Sequence, residues 1–439
     1  MPNTKLGRLV ATSVAVALGA TALAACGSSD DDSRADSGPV SLTYWSWTPG
    51  MDKVADLWNK GPGKKDQITV TVKKQASGDT LVTKILTAHK AKKAPDLVQA
   101  EYQALPTLVS NDALADIAGE AGGVKDKFAE GVWQQTTLGS DAVYAIPQDS
   151  GPMMFYYRQD LFKKYGLKVP ETWDEFAETA RALKKKSPDT DLTTFSANDS
   201  GLFAGLAQQA GAKWWTTEGD KWKVGIDDAA SQKVADFWGG LVEEGAIDNQ
   251  PMYTPAWNKA LNTGKQIAWV SAVWAPGTLT TAAPDTKGKW AMAPLPQWTD
   301  SDNVTGSWGG SSTAVTTDSQ HKAAAAKFAS WLNTDPEALT ALAKEGGIYP
   351  AATTAQTSDA FAEPPAFFSN QPDFYTKAAD IAKTTAPSAW GPNVNVAYTT
   401  FKDAFGKAAK NKSDFGAALK TMQDDTVADM KKQGFEVAE

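Results

Sequence analysis

Tryptophan is the residue type whose number and placement in this chain most suggest chemistry. There are 17 tryptophans in 439 residues, several times what ordinary globular composition provides. Some lie on predicted helical stripes and have a packing explanation. Others fall in predicted loops where no periodicity explains them, namely Trp45, Trp47, Trp274, Trp308 and Trp390. A flat indole covers the weakly apolar face of a pyranose ring while the hydroxyls reach polar partners at the edge, so this pattern favours a carbohydrate ligand.

The predicted positions of these residues converge on one crevice. Trp45 and Trp47 follow the first predicted strand, and Glu101 and Tyr102 follow the third. In open α/β sheets the ligand crevice lies outside the carboxyl ends of the strands. We therefore predict a ligand-binding site there, with Asp149 accepting hydrogen bonds from ligand hydroxyls. The other predicted members of the site are Trp274, Trp308, Gly309, Gly310, Tyr349 and Trp390.

Several of these assignments have a structural alternative. Trp45 packed beneath the first helix, Glu101 acting as an ordinary surface acid, or Tyr349 packed beside a turn would each leave the crevice without that residue. Gly309 and Gly310 are predicted to let backbone N–H groups approach a ligand closely, because glycine has no Cβ.

The chain carries none of the common catalytic motifs. It has two histidines, His89 and His321, and we expect both to face solvent. There is no G-x-S-x-G, H-E-x-x-H, P-loop or G-x-G-x-x-G pattern. We predict no catalytic residue, no metal site and no cofactor. A carbohydrate-active enzyme such as a glycosidase stays open as the alternative, because 51 acidic residues always leave candidate carboxylate pairs.

The first 25 residues are typical of an export signal. Lys5 and Arg8 precede an apolar stretch, 9–23, that is too short to span a bilayer comfortably. It ends in Leu-Ala-Ala before Cys26, the one cysteine in the chain. This pattern resembles a bacterial lipobox, which implies cleavage before Cys26 and diacylglycerol on its sulfur. The alternative is a plain secretory signal with an incidental cysteine. We predict a signal peptide over 1–25 and a disordered tether over 26–39, which is rich in turn formers.

The charge of the chain argues against nucleic acid as a partner. The formal charge is −8, and removal of Lys5 and Arg8 with the signal makes the mature body more acidic still. An acidic surface is a poor match for phosphate backbones. No second apolar run is long enough for a transmembrane helix.

The order of predicted elements indicates an α/β fold. Alternating apolar residues predict strands at 40–45 and 68–72, with an amphipathic helix between them, and a short buried strand follows Pro95. Thr172 and Glu175 form a capping box that begins a later helix. Strand, helix and strand in alternation are typical of a mostly parallel sheet flanked by helices.

Several stretches then resemble one family, the extracellular solute-binding proteins of sugar ABC importers. The matching stretches are LTYWSW at 42–47, APDLVQ at 94–99, YAIPQD at 144–149, YYRQDLF at 156–162, PETWDEF at 170–176, GKQIA at 264–268, APLP at 293–296 and GGS at 309–311. They occur in family order over most of the chain. The chain departs from the family at Arg158, where Asn is common, and at Trp269, where Met is common.

The resemblance implies two discontinuous lobes, each a mostly parallel sheet with helices, joined by hinge crossings. Lobe 1 is predicted at 40–148 and 309–350, and lobe 2 at 149–308 and 351–439. The crossings are predicted near 147–151, 305–309 and 349–352, where Gly and Pro cluster.

The family also implies partners and a location. These are a sugar ligand, the permease subunits of the importer and the outer face of the bacterial membrane, reached through a lipid on Cys26. The chain is predicted to act as a monomer. A binding protein for a non-sugar solute is a further alternative.

Overall fold

The computed structural model describes residues 38–219 and 221–438. The predicted signal peptide, Cys26 and nearly all of the predicted tether lie outside the described residues. No helix in the described ranges has the length and apolar character needed to cross a membrane.

Nine strands are present in the described residues. They are β1 (Val40–Ser46), β2 (Ile68–Lys74), β3 (Leu97–Glu101), β4 (Ala145–Arg158), β5 (Trp215–Glu218), β6 (Lys221–Val224), β7 (Ala268–Ala272), β8 (Trp290–Ala293) and β9 (Ser307–Val315).

Eighteen α-helices are present in the described residues. They are α1 (Met51–Lys60), α2 (Pro62–Asp66), α3 (Asp79–Lys90), α4 (Leu105–Ser110), α5 (Ala118–Ala121), α6 (Glu130–Thr137), α7 (Gln159–Tyr165), α8 (Trp173–Lys186), α9 (Ser200–Gln209), α10 (Ala229–Glu243), α11 (Pro255–Thr263), α12 (Ala275–Ala282), α13 (Lys322–Thr334), α14 (Pro336–Gly346), α15 (Thr353–Gln356), α16 (Phe374–Ala382), α17 (Val394–Asn411) and α18 (Phe415–Lys432).

The principal sheet has the strand order β2-β1-β3-β9-β4-β7, and β8 also pairs with β4. β1 pairs in parallel with β2 and β3. β9 and β4 pair with each other and with their other neighbours in antiparallel fashion. The predicted α/β class is confirmed, with parallel pairing at the β1 edge and antiparallel pairing around the long strands.

The 14-residue strand β4 joins two parts of the sheet. Its first half, from Ala145 to Pro152, pairs with β9, with irregular register around Asp149. Its second half, from Met153 onward, pairs with β7 and β8. Bulges bend a strand and increase its local twist, so the direction of β4 changes where it passes from one set of neighbours to the other.

The three segments predicted as crossings lie side by side. Besides the hydrogen bonds between β4 and β9, the carbonyl of Gln148 on β4 accepts a hydrogen bond from the N–H of Ala351 at 3.1 Å. The N–H of Ser150 in turn donates to the carbonyl of Tyr349, also at 3.1 Å. Segments 147–152, 307–312 and 349–351 are therefore hydrogen-bonded together.

The buried apolar side chains of the described residues form three clusters. Two of them, which together we call the first core, draw on residues 40–146 and 314–355 and lie on the two faces of the β1–β3 end of the sheet. The second core draws on residues 153–308 and 349–430. The predicted division into lobes remains a prediction, and the two cores are the observation that supports it.

Local sequence signals explain several of these elements. Thr172 Oγ1 accepts the N–H of Glu175 at 3.2 Å, and Glu175 Oε2 accepts the N–H of Thr172 at 3.3 Å, which confirms the predicted capping box of α8. Trp58 and Trp238 are fully buried, as their helical stripes predict. The prediction that His89 faces solvent is wrong. Its ring lies 3.1 Å from Asp318 Oδ1 and its side chain is 12% exposed, because the carboxylate gives it a polar partner below the surface.

Candidate ligand-binding site

A polar cavity of about 240 Å³ lies between side chains that come from distant parts of the chain. One wall follows β2 and β3, another is the N-terminus of α9, and the start of β9 and the region of α17 complete it. The lining residues are Gly78, Glu101, Gln103, Asn198, Asp199, Ser200, Gly201, Ser307, Trp308, Gly309, Trp390, Tyr398 and Lys402. The cavity therefore combines residues from the neighbourhoods of both cores.

Four of the residues predicted from the sequence line this cavity, namely Glu101, Trp308, Gly309 and Trp390. They are separated by up to nearly three hundred positions in the chain, and it is the fold that brings them together. Two of the five unexplained indoles therefore lie at one hollow together with a carboxylate, an arrangement compatible with a carbohydrate ligand. That these residues bind a ligand remains a prediction.

Trp308 is held in place by its neighbours. Its side chain is mostly buried, and its ring is 5.0 Å from that of Trp274 at an interplanar angle of 80°, an edge-to-face contact. The Trp274 indole N–H donates to the Trp308 carbonyl at 2.9 Å. On the other side the indole lies against Gly201, where a Cβ would come within 2.8 Å of Trp308 Nε1. Trp274 thus supports the cavity from behind and is not among its lining residues.

Trp45 and Trp47 do not line the polar cavity. Both are partly buried against the face of the first core that contains Leu81 and Ile85. The Lys84 ammonium lies 4.6 Å from the centroid of the Trp45 ring, a cation–π contact. Trp47 lines a much smaller cavity that shares Gly78 and Glu101 with the larger one.

The two residues after β3 have different environments. Glu101 Oε2 accepts a hydrogen bond from Gln103 Nε2 at 2.7 Å, and both side chains line the cavity. Tyr102 is buried, its hydroxyl donates to the Asp149 carbonyl at 2.9 Å, and burial raises its pKa well above the ordinary value. Glu101 therefore lines the cavity, whereas Tyr102 connects the segment after β3 to β4.

Asp149 and Gly310 belong to the crossing segments. The Asp149 carboxylate accepts the backbone N–H of Ser311 on β9. Burial raises the pKa of Asp149 to about 6, although the hydrogen bond from Ser311 opposes the shift. Gly310 has φ +94°, and a Cβ there would lie 2.8 Å from Tyr102 Cε2. Neither residue lines the polar cavity, so the geometry favours a role in joining β4 to β9.

Tyr349 packs within the second core. It is 3% exposed, and its ring contacts Phe361 at 5.6 Å and Tyr375 at 6.4 Å. Its hydroxyl is buried without a hydrogen-bond partner. The packing alternative accounts for this residue better than contact with a ligand.

Several lining residues were not predicted from the sequence. Asp199 caps α9 by accepting the Gly201 N–H at 3.0 Å. Burial raises the pKa of its carboxyl, while hydrogen bonding from Tyr253 and the charge of Lys402 act in the opposite direction. An Asn-Asp-Ser-Gly run before an apolar helix is a recognisable helix start, but nothing in it distinguishes a ligand contact from an ordinary cap.

In the described part of the chain, no group of three or more His, Cys, Asp or Glu side chains is arranged to hold a metal ion. The charges that line the polar cavity include acids and a lysine, with the Lys402 charge acting on Asp199. Such a balance suits a neutral, polar ligand better than a multiply charged one.

Comparison with known proteins identifies the class of protein to which this fold belongs. Residues 44–339 match the family model for bacterial extracellular solute-binding proteins, and the chain belongs to this family.

Individual relatives point the same way. The chain is 28% identical over 385 residues to a lactose-binding protein of Rhizobium radiobacter, covering 83% of this chain and 85% of the relative. It is 23% identical to an arabinooligosaccharide-binding protein of Bacillus subtilis (strain 168), covering 70% and 72%.

Among solved structures, the chain is similar to the galacto-N-biose-/lacto-N-biose I-binding protein of an ABC transporter from Bifidobacterium longum, in complex with lacto-N-biose. The identity is 28% and the TM-score 0.82, over 92% of this chain and all of the other. A binding protein from B. animalis subsp. lactis in complex with beta-1,6-galactobiose has 25% identity and a TM-score of 0.79, with 92% and 100% coverage. The family and fold predicted from the sequence motifs are confirmed.

Proposed function

We propose that this chain is the exported, lipid-anchored solute-binding component of an ABC importer, and that it captures an oligosaccharide and delivers it to the permease. The observation that carries the proposal is the polar cavity, in which Trp308 and Trp390 occur together with Glu101, Gln103 and Asp199. Indoles cover sugar faces, and carboxylate and amide groups at the edge bind hydroxyls.

The architecture suits capture by closure. The two cores are linked through 147–152, 307–312 and 349–351, and the cavity has residues from both sides of that junction. A ligand that contacts both sides favours the arrangement in which they approach each other, so binding shifts the population toward a closed form. In this proposal the permease engages that closed form.

The relatives support a sugar as the ligand. The similar proteins are named for lactose and arabinooligosaccharide binding, and the similar structures contain lacto-N-biose and galactobiose. We propose a short neutral saccharide of this kind for the present chain.

The anchor is proposed from the sequence. Cys26 follows Leu-Ala-Ala at the end of the apolar segment, and a lipid there keeps the protein near its permease and raises the local concentration for docking. In bacteria supplied with labelled fatty acid, the wild type should incorporate the label and a Cys26→Ser variant should not, while its sugar affinity stays unchanged. Equal incorporation by the variant, or none by the wild type, would contradict the proposed anchor and would leave the sugar proposal intact.

A thermal-shift screen tests the ligand class. A ligand that binds only the native state raises the melting temperature. Lactose, lacto-N-biose, β-1,6-galactobiose and arabino-oligosaccharides should raise it, whereas amino acids, putrescine and spermidine should not. A shift with amines or amino acids and none with any saccharide would contradict the proposal.

Hydrolysis is the alternative that one observation favours, because two carboxylates, Glu101 and Asp199, line the same cavity. Each already accepts a hydrogen bond from the protein, from Gln103 and from the Gly201 N–H respectively, which suits fixed acceptors better than an acid–base pair. The family and the named relatives are binding proteins. Incubation with β-1,6-galactobiose should leave it intact. Release of galactose that is lost in Glu101→Gln would instead establish a glycosidase.

A further inference from the structure

Residues 388–393, which we call the strap, are anchored on the second core. Asn393 Nδ2 makes two hydrogen bonds of 3.0 Å to α18, one to a backbone carbonyl and one to the Asp429 carboxylate. Gly391 lies so close to Trp215 that a Cβ would come within 2.1 Å of its indole nitrogen. The absence of a side chain at Gly391 therefore allows the strap to lie directly on the core.

The strap also docks on helices of the first core. The buried hydroxyl of Thr107 on α4 donates to the Pro392 carbonyl at 2.9 Å. Gln135 Oε1 on α6 is 3.4 Å from both the Ser388 hydroxyl and the Trp390 indole nitrogen. One short segment is thus bonded to both sides of the molecule.

Trp390 occupies the middle of this bridge. Among the described residues, it is the partly buried side chain that packs both against the second core and against the Leu81 face of the first. Its ring meets Tyr398 at 6.2 Å and 87°, and both rings line the polar cavity. The position of the Trp390 indole is therefore fixed from several directions.

A second cavity, of about 80 Å³, adjoins the first. Ser307 lines both cavities. Gln135 lines the second and Trp390 lines the first, and these two side chains are in contact. The Trp390–Gln135 pair and Ser307 therefore lie at the partition between the two cavities.

We infer that the strap closes one end of the sugar site, so that a saccharide binds by its terminus and cannot extend past Trp390. This inference rests on the proposed function and specifies it further. An open groove would accept internal units of a long chain, whereas a closed end accepts a terminal unit and rejects bulk attached to that terminus. Gln135 and Thr107 are then positioning residues that determine which ends are accepted.

The test uses β-1,6-galactobiose and two derivatives of it, one with a bulky aromatic tag at the reducing end and one with a bulky group at the other end. Calorimetric titration gives the affinity of each. For the wild type, at least one derivative should bind at least tenfold more weakly than the parent sugar. In Trp390→Ala that derivative should come to within about threefold of the parent, because the partition is open, even if the parent itself binds less tightly.

A second variant keeps the test decisive if Trp390→Ala fails to fold. Thr107→Val with Gln135→Leu removes the docking bonds and keeps the indole, and should restore part of the rejected binding. Gln134→Leu, one position away on the exposed side of α6, should behave as wild type. Equal binding of both derivatives by the wild type, or no recovery in either strap variant, would overturn the inference. Failure of unmodified galactobiose, lactose and lacto-N-biose to bind would instead overturn the proposed function.

Discussion

Replacing Asp149 by asparagine should change how the stability of the protein depends on pH. The folded protein raises the pKa of this carboxyl from 3.8 to about 6 because the surrounding structure shields most of the group from water. A pKa that is higher in the folded state means that folding favours the protonated form. Its contribution to stability is complete below about pH 4 and is lost as the pH rises through about 6.

The magnitude follows from the two pKa values. Each tenfold difference in proton affinity corresponds to about 1.4 kcal/mol, so the gap of about 2 gives about 3 kcal/mol. The side chain keeps partial contact with solvent, which reduces the expected effect to about 2 kcal/mol. Asparagine retains an oxygen that can accept the Ser311 N–H. Its side chain is uncharged at every pH, so its contribution to stability does not change with pH.

Urea unfolding at pH 4, 5, 6 and 7.5 measures the effect. Asp149→Asn should match the wild type in unfolding free energy near pH 4 and exceed it by about 2 kcal/mol at pH 7.5. Asp141→Asn, at an exposed position, serves as the matched control and should show no such divergence. A constant difference between Asp149→Asn and wild type across the pH range would show that the pKa of Asp149 is not raised by folding.

Four further substitutions test the packing in and around the site. Gly310→Ala should lower the unfolding free energy by about 1–3 kcal/mol, because an alanine there has a positive φ and its Cβ clashes with Tyr102. Gly309→Ala should lower it less, because its Cβ would have room. Equal losses for the two variants in urea titrations would contradict this. Tyr349→Phe removes a buried hydroxyl that has no hydrogen-bond partner. Thermal unfolding should therefore show an unchanged stability or a gain of about 1 kcal/mol, and the sugar affinity should not change. A clear loss of stability or of sugar affinity would show that the hydroxyl makes a favourable contact. Trp274→Phe loses the hydrogen bond to the Trp308 carbonyl, so it should lower the unfolding free energy by about 1–2 kcal/mol and weaken sugar binding. Lower stability with unchanged sugar affinity would show that Trp274 does not support the binding site.

The framework of the fold could be predicted because its signals are local. Alternation of apolar residues identified β1 and β2, and the Thr172–Glu175 capping box identified the start of α8. The antiparallel pairing of β4 with β9 could not be read in this way. It depends on where segments far apart in the chain meet, and no periodicity records that.

The site was predictable only in part, for a related reason. Unexplained indoles and residues after strand ends led to Trp308, Trp390 and Glu101, which line one cavity, and ligand binding by them remains a prediction. In the sequence, Asp199 is indistinguishable from an ordinary helix cap, and Lys402 from other lysines on a long helix. Their place at the cavity depends on which distant residues the fold brings next to them. Tyr102 and Asp149 carried the right polarity, but the structure uses them to join strands.

Sugar binding in the polar cavity is tested most directly by calorimetric titration of lactose and β-1,6-galactobiose into the wild type and into two variants on opposite walls, Glu101→Gln and Trp390→Ala. We predict that one sugar binds per chain and that each substitution weakens binding at least tenfold, which corresponds to about 1.4 kcal/mol or more. Saccharide binding that neither substitution alters would show that sugars are not held between these walls.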